Sequence, residues 1–254
     1  IYPLYPGANE QGSRDIGCVP DYLPGYKLTS DNIARQQLGK SWGVDIPSST
    51  GLRLKELTEA ILERRIKALH IIGDSPNFTN GELGNFLDAL KKLDFLLVQD
   101  TFPNQITGMA DVILPSSTFA EKNGTYTNME RRVQLLKPAL GTKGEEDADG
   151  RILSKIASQM NAVGFDHENV KAVFDEISSL VKIYQGMSHK KLSDRPLQWP
   201  YSEENMVDSP ILYTDSTTSQ VKLVEMGLES IALSVDDNYP YLLARGRLLH
   251  EAER

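Results

Sequence analysis

The chain has 254 residues, a formal net charge of -8 and 40% hydrophobic residues, enough for one large domain or two modest ones with real cores. The acidic balance argues against nucleic acid or an anionic membrane surface as a partner, and no apolar run is long enough to span a bilayer. The single cysteine, Cys18, excludes an internal disulfide and a cysteine-ligated iron–sulfur cluster held within this chain, and it agrees with a reducing, cytoplasmic setting.

The first fifty residues are punctuated by Gly7, Gly12, Gly17, Gly25 and Gly43 and by Pro3, Pro6, Pro20, Pro24 and Pro47, a pattern that predicts ordered loop. Leu54, Leu57, Ile61 and Leu62 then recur at helical spacing. Residues 68–72 form a short apolar run ending in Gly73-Asp74-Ser75-Pro76, which reads as a strand leaving a sheet. Thr79 or Asn80 can cap the next helix, whose stripe is Leu83, Phe86, Leu87, Leu90 and Leu93. Phe95-Leu96-Leu97-Val98 reads as a second buried strand, 104–109 as a short helix, and Val112-Ile113-Leu114 as a third strand ending at Pro115-Ser116-Ser117. Near-continuous apolar strands alternating with helices predict an α/β fold with a parallel sheet.

Beyond Ala120 the pattern changes. Residues 121–127 read as a polar turn, 131–136 as a strand, and 141–150 as an acidic surface loop. Helices are marked by Ile152, Ile156, Ala157 and Met160, then by Val170, Val173, Phe174, Ile177 and Leu180. Residues 181–220 have weak periodicity and read as irregular. Trp42, Tyr184, Trp199, Tyr201 and Tyr213 therefore sit in segments not expected to form a core alone. Tyr241-Leu242-Leu243-Ala244 reads as a last strand.

In open α/β sheets, ligands sit off the carboxyl ends of the strands. Three strand ends carry polar or glycine-containing turns here. Gly73 lets a backbone approach a ligand closely. Asp74 and Asp100 offer acceptors that suit a ribose diol or the amide and amino edge of guanine. Ser116 and Ser117 offer hydroxyls to phosphate. The other reading of the two aspartates is structural, ending strands and capping the next element. Neither a GxGxxG fingerprint nor a P-loop is present, and His70, His167, His189 and His250 have no paired metal-ligand spacing. Cys18 reads as a small buried residue rather than a nucleophile.

Several ordered runs carry a specific resemblance. Ile71-Ile72-Gly73-Asp74-Ser75-Pro76, the run from Phe95 to Asp100, and Ala110-Asp111-Val112-Ile113-Leu114-Pro115-Ser116-Ser117 are similar to the molybdopterin oxidoreductase family. The run Phe119-Ala120-Glu121-Lys122-Asn123-Gly124-Thr125-Tyr126-Thr127-Asn128, continuing to Gln134, resembles that family's formate dehydrogenase branch. So do Gln11-Gly12 with Asp15-Ile16-Gly17, Leu23-Pro24-Gly25-Tyr26, and Leu197-Gln198-Trp199-Pro200. The resemblance implies an interior piece of a catalytic alpha subunit that oxidises formate to carbon dioxide or runs the reverse. It implies that Gly73, Asp74, Asp100 and Ser116 contact the guanosine end of a molybdopterin guanine dinucleotide carrying molybdenum or tungsten. A 4Fe-4S cluster would lie in the parent outside this chain, and no cofactor is expected on the fragment alone. The implied partners are the rest of the parent subunit and iron–sulfur electron-transfer subunits.

The resemblance further implies a loop region over residues 1–50, the dinucleotide-binding α/β domain over 51–120, a return loop and helices over 121–180, an irregular linker over 181–235, and the start of a C-terminal barrel over 236–254. Two departures stand out. Gly7 occupies about the place of a glutamine that touches a pterin, and Gly150-Arg151 replaces a common Asp-Trp before the helix near Ile152. The second reading is therefore the large iron–sulfur subunit of NADH–quinone oxidoreductase, where the same α/β domain is scaffold without a molybdenum site.

Overall fold

The computed structural model describes residues 7–73, 80–141, 144–167, 169–202 and 207–208. The expected strand at 241–244, the barrel start and Tyr213 lie outside them. All the described residues belong to one compact unit, Ile1–Leu212.

Its centre is a parallel sheet of three strands, β3 (Ala68–Ile72), β4 (Phe95–Asp100) and β5 (Val112–Pro115), in that order. This is the α/β arrangement the sequence predicts, and the strands fall where the apolar runs are. Strand alternation sorts the side chains onto two faces. Leu69, Ile71, Leu96 and Val98 lie on one face, packed with Ile61 of α3 (Leu54–Leu62) and with Phe86, Ala89 and Leu90 of α4 (Asn80–Leu90). His70, Ile72, Phe95, Leu97, Gln99 and Val112 lie on the other. There Ile72, Phe95 and Val112 remain exposed. Asp111 ties β5 to β4, because its carboxylate accepts the Leu96 N–H at 2.6 Å while its own N–H donates to the Leu96 carbonyl at 2.9 Å.

An antiparallel sheet comes next in the chain, made of β6 (Gly124–Thr127), β7 (Arg132–Leu136) and β8 (Leu197–Gln198). Against it pack α6 (Val170–Leu180) and α7 (His189–Asp194). Val133, Phe174, Val181, Tyr184, Met187, Leu192, Leu197, Trp199 and Tyr201 make one buried cluster. This corrects two expectations. Residues 121–127 are not all turn, because β6 begins at Gly124. Within 181–202, Tyr184, Trp199 and Tyr201 do form a core, supplied by α6 and β7 from elsewhere in the sequence. Periodicity could not reveal it, since each element there is only two to six residues long.

The first fifty residues also depart from the loop expectation. They contain α1 (Glu10–Asp15), a two-strand ladder of β1 (Tyr22–Leu23) with β2 (Lys27–Leu28), and α2 (Asn32–Trp42). Helix α2 starts at Asp31, whose carboxylate accepts the N–H groups of Ile33 and Ala34, and ends at Gly43 in the left-handed conformation. Only Leu38 and Gly39 of α2 are buried, so it lacks the apolar stripe that announces a helix. Cys18 is exposed rather than buried. Helix α5 (Asp149–Gln159) begins inside the segment expected to be loop. Among the described residues no helix is long and apolar enough to cross a membrane.

Candidate nucleotide site at the carboxyl ends of the strands

At the end of β4, Gln99 and Asp100 point to opposite faces of the sheet. Gln99 faces α5 and has no exposed surface. Its amide Nε2 donates to the Asp149 carboxylate at 2.9 Å, and its Oε1 is buried without a partner among the described residues. Ser116, just past β5 and 5% exposed, donates its hydroxyl to the same Asp149 oxygen at 2.7 Å. The other Asp149 oxygen accepts from the Lys122 ammonium at 2.5 Å. Asp149 stands in the first turn of α5, where a carboxylate also complements the helix dipole. Four elements thus converge on one carboxylate: the ends of β4 and β5, the loop before β6, and the start of α5. Burial pushes the Asp149 carboxyl up, but the hydrogen bonds from Lys122, Ser116 and Gln99 outweigh it and hold it below the ordinary value.

Of the residues singled out in the sequence, Ser116 belongs to this cluster and Asp100 does not. Asp100 turns the other way. One of its oxygens accepts the Thr101 N–H and the other the Asn104 side-chain amide, both at 2.7 Å, so its carboxylate organises the turn after β4. Its backbone carbonyl accepts the Ser116 N–H at 2.9 Å and joins the two strand ends. Gly73 closes β3 with φ +52, and nothing lies within 4 Å of where a Cβ would sit. The conformation favours glycine there; packing among the described residues does not demand it. Asp74 lies outside the described residues.

Gln99, Lys122 and Asp149 went unrecognised as site residues in the sequence. Asp149 sits in an acidic, glycine-rich stretch beside Glu145, Glu146 and Asp147, and only the tertiary fold selects the carboxylate that meets the sheet. A cleft of about 1950 Å³ opens beside this cluster, with Asn9, Ser117, Glu121, Lys122, Tyr126 and Asp149 on its wall. Asp147 lies on the same wall and pairs with Lys155 at 2.7 Å and Arg151 at 3.4 Å. Among the described residues no group of three or more His, Cys, Asp or Glu side chains is placed to hold a metal ion.

This arrangement suits the polar end of a nucleotide. A carboxylate on the cleft wall can take N–H donors from a base edge, and a lysine ammonium can take phosphate oxygens. The residues present therefore fit a nucleotide-bearing cofactor, without supplying metal ligands of their own.

The sequence also matches known proteins. The family model for Molybdopterin oxidoreductase matches residues 6–159. The chain is 33% identical to the F420-dependent formate dehydrogenase subunit alpha of Methanocaldococcus jannaschii over 253 residues, 98% of this chain and 37% of that protein. It is 36% identical to the probable oxidoreductase YjgC of Bacillus subtilis over 215 residues, 84% of this chain and 22% of that protein. It is 33% identical to the putative formate dehydrogenase SH0748 of Staphylococcus haemolyticus over 252 residues, 98% of this chain and 25% of that protein. The chain thus spans well under half the length of these relatives. Matched to the family model over more than half of its own length, and related to formate dehydrogenases over nearly all of it, the chain belongs to the molybdopterin oxidoreductase family.

Proposed function

We propose that this chain is the part of a formate dehydrogenase-like alpha subunit that holds the guanosine end of a molybdopterin guanine dinucleotide. The observation that carries the reading is the convergence of Gln99, Ser116 and Lys122 on Asp149 at the carboxyl ends of a parallel sheet. In this reading Asp149 accepts from the guanine edge, while Lys122 neutralises phosphate. Ser116 and Gln99 keep the Asp149 carboxylate aimed, and Asp100 shapes the adjoining turn. Gly73 borders the same end of the sheet. The cofactor supplies the redox chemistry when bound, with its molybdenum or tungsten; this chain binds and orients its nucleotide end. The 4Fe-4S cluster and the electron-transfer subunits belong to the assembly around it.

The open sheet face supports a larger subunit. Parallel sheets are normally covered on both faces, and Ile72, Phe95 and Val112 are exposed on one. The remainder of the subunit is the covering partner in this reading. Gly7, standing where the family often has a pterin-contacting glutamine, favours the second reading, a scaffold domain in an NADH–quinone oxidoreductase subunit without molybdenum. Formate-dependent dye reduction by the full-length subunit, measured with its molybdenum or tungsten content, separates the two. The first reading expects near-stoichiometric metal and formate-dependent turnover. Absence of both, in a subunit that still carries iron–sulfur clusters, would establish the scaffold.

A further inference from the structure

Outside the Asp149 cluster, the most unusual polar group is Asp15, which has no exposed surface. It accepts four hydrogen bonds from neutral donors. Gln11 Nε2 and the Tyr26 hydroxyl donate to one oxygen, each at 2.7 Å. The Tyr184 hydroxyl at 2.7 Å and the Trp199 indole N–H at 2.9 Å donate to the other. A buried carboxylate is costly, and full satisfaction of its oxygens makes it tolerable. The network fastens α1 to the aromatic core, and it extends further. The Tyr184 hydroxyl also meets the Thr127 hydroxyl at 2.8 Å, and the Thr127 backbone N–H donates to the Asn9 side-chain oxygen at 2.8 Å. Gly12 permits this close approach, since a Cβ there would stand 2.3 Å from the Asn9 oxygen.

The consequence concerns Asn9. Its amide oxygen is held by Thr127, and its Nδ2 has no partner among the described residues. The side chain stands on the wall of the cleft that Lys122 and Asp149 also line. We propose that Asn9 donates its side-chain amide to an oxygen acceptor of the dinucleotide in this cleft, and that Asp15 is the positioning residue that holds Asn9 in place. The inference rests on the nucleotide reading of the cleft.

Asn9→Asp provides a selective test. It keeps an oxygen for the Thr127 N–H, so the anchor survives, but it replaces the N–H donor with an acceptor. In the cofactor-loaded full-length subunit, release of the dinucleotide is followed as GMP liberated by acid hydrolysis after timed dilution. Asn9→Asp should release it about tenfold faster or more, with an unchanged unfolding temperature. Asp15→Asn, which leaves the Trp199 N–H facing an amide, should speed release to a similar extent. Combining it with Asn9→Asp should add less than the product of the two effects, as for residues acting in one chain. Gly12→Ala should also speed release, although alanine is the better helix former. Wild-type release by Asn9→Asp, in a subunit where Asp149→Ala does lose nucleotide, would overturn this inference alone. Retention by both variants would overturn the nucleotide site as well.

Discussion

Asp149→Ala in the full-length subunit should leave it largely free of bound nucleotide, with retention weakened roughly 100-fold, the equivalent of losing one or two hydrogen bonds to a charged group. The reason is that Asp149 is the common acceptor for three other side chains. Without it, Gln99 loses its only side-chain partner among the described residues while remaining fully buried, Ser116 loses its acceptor, and the Lys122 ammonium is released from its fixed position. The whole cluster should therefore fail together rather than in part. Asp100→Ala should be milder in its effect on nucleotide, because both Asp100 oxygens serve the turn from Thr101 to Asn104. The check is GMP and pterin content per subunit after gel filtration, beside a thermal unfolding curve. Equal losses of nucleotide in the two variants would place the ligand against the Asp100 face instead. Undiminished nucleotide in Asp149→Ala would make that carboxylate a structural pin for α5.

The largest effect on stability should come from Trp199→Ala, at about 3–5 kcal/mol for removal of a buried tryptophan. Trp199 is 6% exposed in the aromatic cluster, and the Arg131 guanidinium lies 5.2 Å from its ring centre. Its loss also removes one of the four donors to Asp15, and this gives the penalty a pH dependence. Burial pushes the Asp15 carboxyl up, against the pull of its hydrogen bonds from Tyr26, Tyr184, Gln11 and Trp199. A carboxyl raised in the folded state favours folding when protonated, so its contribution is greatest at low pH and declines as pH rises through the folded value. Removing the indole N–H raises that value further. The cost of Trp199→Ala should therefore be larger at pH 7 than near pH 4, as read from denaturant unfolding of the full-length subunit at both. An identical cost at the two values would mean that Asp15 is not carrying its charge against the indole.

The parallel sheet was legible in the sequence because its strands are short, nearly continuous apolar runs, and each ends in residues that cannot continue a strand comfortably. The helices α3, α4 and α6 were legible for a related reason, a strong apolar stripe against polar neighbours. Helix α2 was not, since its buried residues are confined to Leu38 and Gly39. Strand β6 was hidden because Thr125, Tyr126 and Thr127 are compatible with a polar turn; pairing with β7 makes them a strand. The candidate site was legible to the extent that strand ends are legible. Ser116 was found for its place after a strand. Asp149 was not, because it lies 33 and 50 residues along the chain from Ser116 and Gln99, the groups it binds. Asp100 stands at the strand end that the sequence singles out, and alternation along β4 turns its carboxylate to the face opposite Gln99, toward Thr101 and Asn104.

A density map of the cofactor-loaded full-length subunit tests the nucleotide site most directly. The expected result is a guanine base with its N–H edge within hydrogen-bond distance of the Asp149 carboxylate, and a phosphate oxygen beside the Lys122 ammonium. A nucleotide bound elsewhere in the subunit, with the Gln99–Asp149–Ser116 cluster unchanged and facing only protein, would contradict it.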